Sequence, residues 1–232
     1  MKICVLGLDL SIRKHSVKDV RLDQLHQLVS AKKKTYVQVE IVPQQDLKDA
    51  DCLLVNEDFR LELILKDLEF VETRLSRATE DKEIQLLKRL KEALEQEKFA
   101  SNLSFSCEEK ALISTYGLVT SKPIVVVSKD TAVEPDVLLA QALKESGYIS
   151  FFTLGDKENR AWLIKKGTTA LEAAGCIHSD IQRGFIRAEI IAFEDFIKTK
   201  GESEAKRQGF MRLEPKEYIM QDADIVNFRF NK

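Results

Sequence analysis

The chain has 232 residues, 44% of them apolar and 32% charged, with a formal net charge of −2. That balance fits a folded, helix-rich protein and excludes a disordered chain, a membrane-embedded one and a polycationic nucleic-acid binder, so any contact with RNA must come from a local patch. The length suits one large domain or two small ones, and the patterns that follow fit two domains with a helical arm.

Lys2 to Leu8 reads as a buried strand, because Ile3, Val5, Leu6 and Leu8 crowd a short segment that stops at Gly7-Leu8-Asp9. Val20 to Val29 carries Leu22, Leu25, Leu28 and Val29 at helical spacing, and Tyr36 to Val42 alternates apolar and polar residues as a strand does. Cys52 to Val55 and Ile124 to Val127 are further apolar runs, which together imply a small sheet flanked by helices. From Phe59 to Phe99 the period changes. Leu61, Ile64, Leu65, Leu68, Val71 and Leu75, then Ile84, Leu87, Leu90, Ala93 and Leu94, predict a helical hairpin of coiled-coil type, with its break at Ala78-Thr79-Glu80-Asp81 and Thr79 capping the second helix. Ser106-Cys107-Glu108-Glu109 opens another helix, and Pro135 and Glu145-Ser146-Gly147 mark the approach to a second domain. Beyond it, Ile149 to Leu154, Ala161 to Ile164, Ile186 to Ile191, Tyr218 to Met220 and Ile225 to Phe230 are strand-like, with one helix from about Thr169 to Ala174. Short strands around one helix suit an α+β domain of β-grasp type. The expected domains are thus residues 1–148, with the hairpin at about 59–99, and residues 149–232.

Cys4, Cys52, Cys107 and Cys176 are scattered without a Cys-x-x-Cys pair, and His15, His26 and His178 stand at no metal-ligand spacing, so reduced thiols and no metal site are expected. The start Met1-Lys2-Ile3-Cys4-Val5 lacks a secretory pattern and no apolar run is long enough to span a bilayer, which predicts a cytoplasmic protein. His178 and Asp180 have no nucleophile beside them in sequence, so no catalytic residue is assigned; Trp162 is read as core, with base stacking as the rival role.

The C-terminal motifs carry a resemblance. Phe151-Phe152-Thr153, Asn159-Arg160-Ala161-Trp162, Lys166-Gly167-Thr168-Thr169-Ala170, Ile177-His178-Ser179-Asp180, Arg183 to Glu189, Phe193-Glu194-Asp195-Phe196, Lys200-Gly201-Glu202 and Gln221 to Phe230 resemble, in order, the C-terminal TGS (DUF933) domain of the YchF branch of Obg-related GTPase-like proteins. Upstream, Asp19 to Leu25, Asp67-Leu68-Glu69, Glu108 to Ala111 and Lys122-Pro123 are collinear with family landmarks. The resemblance implies a P-loop GTPase-like α/β domain carrying an inserted helical hairpin, then a β-grasp TGS domain, and a partner linked to the ribosome or RNA.

The phosphate-binding chemistry of that family is what the sequence lacks. A Gly-x-x-x-x-Gly-Lys-Ser/Thr loop needs its second glycine for close backbone approach, lysine for phosphate charge and a hydroxyl for magnesium. Counted from Gly7, those places hold Ile12, Arg13 and Lys14. After the Val37 to Val42 strand, Pro43-Gln44-Gln45 replaces the Asp-x-x-Gly switch, and Ser128 to Ala132 lacks the Asn-x-x-Glu base-recognition motif. A shortened, degenerate P-loop domain is therefore expected, with no cofactor, and Gly7, Arg13 and Lys14 as vestiges of the nucleotide site. The expected function is a non-catalytic binding module acting through the TGS domain, with Lys165, Lys166, Arg183 and Arg187 as candidates for RNA phosphate or an acidic partner. Two alternatives stand beside it. One is a residual ATP or GTP switch, with magnesium, using Lys14; the other is a protein-interaction subunit acting through the hairpin.

Overall fold

Continuous apolar runs and alternating or helical spacings fold here into two sheets, each with its own helices. The computed structural model describes residues 1–128 and 134–231. Its strands are β1 (Lys2–Leu6), β2 (Lys14–Val17), β3 (Lys33–Thr35), β4 (Val37–Val42), β5 (Cys52–Asn56), β6 (Ile124–Val127), β7 (Tyr148–Thr153), β8 (Glu158–Lys165), β9 (Phe185–Ile191), β10 (Arg212–Glu214) and β11 (Ile225–Phe230). The helices are α1 (Val20–Leu28), α2 (Arg60–Leu75), α3 (Asp81–Glu95), α4 (Cys107–Tyr116), α5 (Pro135–Glu145), α6 (Ala170–Ile177), α7 (Ser179–Arg183), α8 (Phe193–Thr199) and α9 (Glu202–Arg207). Among the described residues no helix is long and apolar enough to cross a membrane. The chain divides into two compact units, Met1–His15 with Val39–Ser146, and Ser16–Gln38 with Gly147–Lys232.

The first unit is built on the sheet β2-β4-β1-β5-β6, in which β4, β1, β5 and β6 run parallel. Parallel strands covered on both faces are apolar throughout, and Cys52, Leu53, Leu54 and Val55 are all fully buried. The connection from β5 to β6 carries α2, α3 and α4. Their facing residues, Ile64, Val71, Leu86, Leu87, Leu90, Leu94 and Ile113, form one apolar cluster. Two buried carboxylates fix the helices. Asp67 on α2 accepts the backbone N–H groups of Val119 (3.1 Å) and Thr120 (2.7 Å), and Glu83 on α3 accepts from Arg74 (2.7 Å) and Tyr116 (2.8 Å). The α4 start expected from Ser106 is a reciprocal cap with Glu109.

The second unit has a six-stranded sheet of order β10-β9-β11-β7-β8-β3, mixed in direction. On one face α6 brings Ala170, Ala173 and Ala174 against Phe151, Ile164, Ala188, Ile190, Val226 and Phe228. Three small side chains let the helix approach the sheet closely, and Thr169 with Glu172 caps its start. α1 buries Leu22 and Leu25 completely. Asn159 on β8, with no exposed surface, donates to the Val29 carbonyl (2.6 Å) and lies 3.1 Å from His26 Nδ1. Arg21 extends from α1 to Asp222 (2.7 Å) and over the Phe152 ring.

Several expectations need amendment. Residues 16–38 do not belong with the rest of residues 1–148; β3 pairs in parallel with β8 through Lys33↔Glu158 and Thr35↔Arg160, which ties this stretch to the second unit. Pro135 is the first residue of α5, where a missing N–H and a fixed φ are tolerated. Thr79 does not cap α3; Glu80 holds that place without a side-chain bond. Tyr218 to Met220 makes only an isolated bridge from Ile219 to Thr169, while Arg212–Glu214 supplies the strand. Three further short helices, α7, α8 and α9, accompany the one expected.

Candidate functional site

The loop after β1 is where the sequence places the phosphate chemistry. Gly7 adopts φ +68°, and a Cβ there would lie 2.4 Å from the Phe59 ring and 3.0 Å from Asn56 Cβ. The glycine thus admits an aromatic side chain against the backbone. Ile12 is 65% exposed, the Arg13 carbonyl accepts the Ile41 N–H (2.9 Å), and the chain then enters β2 at Lys14 rather than a helix. Arg13 and Lys14 are exposed, and neither forms an ion pair with another described residue. His15 Nε2 lies 2.7 Å from the Ser11 carbonyl. Beyond β4, residues Gln44–Asp49 form a 3₁₀ segment. The Lys122 ammonium, its pKa depressed by burial, donates to the carbonyls of Lys48 (2.5 Å) and Ala50 (2.6 Å). Apart from Ser128, the base-recognition position at Ser128 to Ala132 lies outside the described residues.

The four cations singled out in the second unit fall into two groups. Lys165 pairs across the sheet with Tyr148, and its ammonium sits 5.6 Å above that ring; Lys166 follows on the turn. Arg187 pairs with Arg229 on β11, and Arg183 closes α7, where it is salt-bridged to Asp180 and holds that carboxyl below its ordinary range. Because Ile225 of β11 is level with Phe152 of β7, Lys165 and Arg187 lie about eight residues apart along the strands, roughly 26 Å at the usual strand rise. The structure does not bring the two groups together. Next to Arg183, a cleft of about 730 Å³ is lined by His178, Asp180, Ile181, Gly184, Phe230 and Asn231. Gly184 is required there, since a Cβ would meet the Asn231 carbonyl at 2.0 Å. His178 is structural, its Nδ1 accepting the Asp180 N–H (3.1 Å) at the start of α7.

A second cationic feature escaped the sequence reading. The Arg160 guanidinium lies 4.0 Å from the centre of the Trp162 ring, whose other neighbour is Phe151, at 6.3 Å and 14° between planes. Trp162 Nε1 donates to Thr153 Oγ1 (2.9 Å). Glu158 accepts from Thr35 (2.5 Å) and pairs with Lys33 (3.3 Å) and Arg160 (4.0 Å); Thr35 and then Lys33 keep its pKa below the usual range. Of these, Lys33, Thr35, Arg160 and Trp162 border a cleft of about 410 Å³. The signal in the sequence was the run Lys32-Lys33-Lys34, which gains meaning only once β3 is paired with β8.

Comparison with known proteins gives concordant results. Residues 148–231 match the family model for the C-terminal domain of YchF GTPases, described as a protein of unknown function (DUF933). The chain is similar to the ribosome-binding ATPase YchF of Bacillus subtilis, 36% identical over 240 residues that cover 75% of this chain and 66% of that protein. It is also similar to the ribosome-binding ATPase YchF of Escherichia coli O157:H7, 57% identical over 82 residues, 35% of this chain and 23% of that one. The chain therefore spans about two thirds of the first relative's length and about a quarter of the second's. In structure it resembles the YchF GTPase of Schizosaccharomyces pombe, with a TM-score of 0.75 at 18% identity, covering 95% of this chain and 88% of that one. The last likeness establishes a shared mixed α/β fold.

Proposed function

The chain belongs to the YchF family, and from that premise we propose that it is a non-catalytic ribosome- or RNA-binding protein that has lost nucleotide binding. The observation that carries this reading is the loop after β1, which runs into a strand. A phosphate loop uses backbone N–H groups converging at the start of a helix, and its affinity rests on that terminus. Here a branched isoleucine, an aromatic ring packed on Gly7 and the strand β2 occupy the corresponding stretch. The residues do not fit a magnesium nucleotide, so no hydrolytic step is assigned. The alignment with the Bacillus protein supports the same reading: it runs over 240 positions yet uses 75% of this 232-residue chain, so more than a quarter of its positions lack a counterpart here.

In this reading the first unit is a degenerate P-loop domain with α2 and α3 as its inserted hairpin. The second unit is a TGS-like β-grasp domain that carries the binding surface. Support for the binding role comes from the names of the relatives, both ribosome-binding ATPases, and from the cations Lys165, Lys166, Arg183 and Arg187. Their separation along the sheet makes them two contact points.

The test is calorimetric titration of the full chain with ATP and GTP, with and without magnesium, alongside ribosome co-sedimentation. No heat up to about millimolar nucleotide, a level worth roughly 4 kcal/mol, together with co-sedimentation that Lys165→Glu/Lys166→Glu or Arg183→Glu/Arg187→Glu weakens, is the expected outcome. Saturable micromolar binding that Lys14→Ala abolishes would replace the proposal with a nucleotide switch. A second reading, a protein partner on the hairpin, is favoured by Leu61 and Leu65, which are 50% and 61% exposed one helical turn apart on α2.

A further inference from the structure

We propose that the cleft at the β3–β8 edge of the second unit binds single-stranded RNA, with the Arg160 guanidinium as a stacking platform for one base and Lys33 at its phosphate. This rests on the RNA-binding reading above and assigns it a subsite that none of the four cations considered there occupies.

The geometry arises from unequal strand lengths. β3 accompanies β8 only as far as Thr35↔Arg160, whereas β8 continues to Lys165. Where β3 ends, the 410 Å³ cleft opens along Ala161, Trp162 and Leu163. Unstacked bases are held on aromatic rings or on arginine planes. The indole itself is not available for this, because Phe151 and Arg160 are its neighbours. Arg160 is available: its side chain is 40% exposed, and it is fixed from beneath by Trp162 and from the side by Glu158. A guanidinium already ordered in this way loses little freedom when a base is laid on it.

Charge points the same way. Lys33 is 68% exposed, and its partner Glu158 is itself anchored by Thr35. Lys32 joins this corner through its backbone bond to Asp156 (3.2 Å), next to Lys157. Along this corner of the sequence Lys32, Lys33, Lys34, Lys157 and Arg160 outnumber Asp23, Asp156 and Glu158, in a chain of net charge −2. A duplex would not use this platform, since its base faces are covered by neighbouring bases.

Trp162 is the only tryptophan in the sequence, so its emission reports on this cleft directly. Titration of the full chain with single-stranded 12-nucleotide oligo(A) and oligo(U) should change that emission saturably, and a 12-base-pair RNA duplex should not. By anisotropy of labelled RNA, Arg160→Ala should weaken binding roughly tenfold or more. Arg160→Lys should retain the salt dependence but lose most of the affinity, and Lys33→Ala should lower the slope of log K against log salt by about 0.7. Unchanged urea midpoints establish that the variants are folded; should Arg160→Ala fail this, Arg160→Lys and Lys33→Ala decide. Ribosome co-sedimentation without an emission change, or affinity unaffected by Arg160→Ala, would overturn this subsite while leaving the broader reading intact. Failure of both co-sedimentation and RNA titration would overturn the broader reading too.

Discussion

Replacing Gly7 with alanine separates a packing role from a phosphate-binding one. The residue holds φ +68°, and the added methyl would approach two atoms of the Phe59 ring at 2.4 and 2.5 Å and Asn56 Cβ at 3.0 Å. The left-handed backbone costs an L-residue about 1–2 kcal/mol, and displacing a packed ring costs about 1–3 kcal/mol. The lower chain entropy of alanine in the unfolded state returns about 0.4–1 kcal/mol. The net loss expected for Gly7→Ala is therefore about 1–5 kcal/mol, read from urea unfolding followed by far-UV circular dichroism. Phe59→Ala removes the steric part and leaves the dihedral part, so the double variant should show a coupling of about 1–3 kcal/mol. A loss below about 1 kcal/mol without coupling to Phe59 would refute the packing account and return Gly7 to consideration as a phosphate-loop residue.

Asp67→Ala strips the buried backbone N–H groups of Val119 and Thr120 of their acceptor; at about 1–3 kcal/mol for each unsatisfied group, a loss of about 2–6 kcal/mol in urea unfolding is expected, with Asp67→Asn intermediate. Glu189 is held below its usual 4.5, first by its hydrogen bond to Arg229 and also by Asn227. Its contribution to stability is therefore complete above pH 4.5 and declines as pH falls through the lower folded value; Arg229→Ala should flatten the acid limb of the stability profile, and an unaltered limb would contradict the pairing. Tyr116 is pushed up to about 12 from 10.0, chiefly by burial and then by its bond to Glu83. Its neutral form is favoured by folding, so that stability is present in full below pH 10 and lost as pH rises towards 12. Absorbance titration near 295 nm should show a late-ionising tyrosine that disappears in Tyr116→Phe and moves to lower pH in Glu83→Gln.

The sequence by itself determined the elements whose burial is periodic. The run Cys52 to Val55 read as an apolar piece of a small sheet, the spacing of Leu61 to Leu75 and Ile84 to Leu94 made two helices, and Ser106 with Glu109 announced a helix start, because each signal is local. The absence of the Gly-x-x-x-x-Gly-Lys-Ser/Thr spacing after Gly7 was equally legible, since phosphate chemistry demands particular residue types at fixed offsets. Tertiary structure decided who pairs with whom. A three-residue strand such as β3 has too few side chains to display a period, and only its register with β8 reveals that residues 16–38 belong to the second unit and that Lys33 stands near Arg160. Register likewise set Lys165 and Arg187 at distant levels of one sheet, although both read in sequence as cations of the same domain. Periodicity records that a residue is buried; which surface buries it depends on pairings across more than a hundred residues of chain, and those are settled only when the sheets assemble.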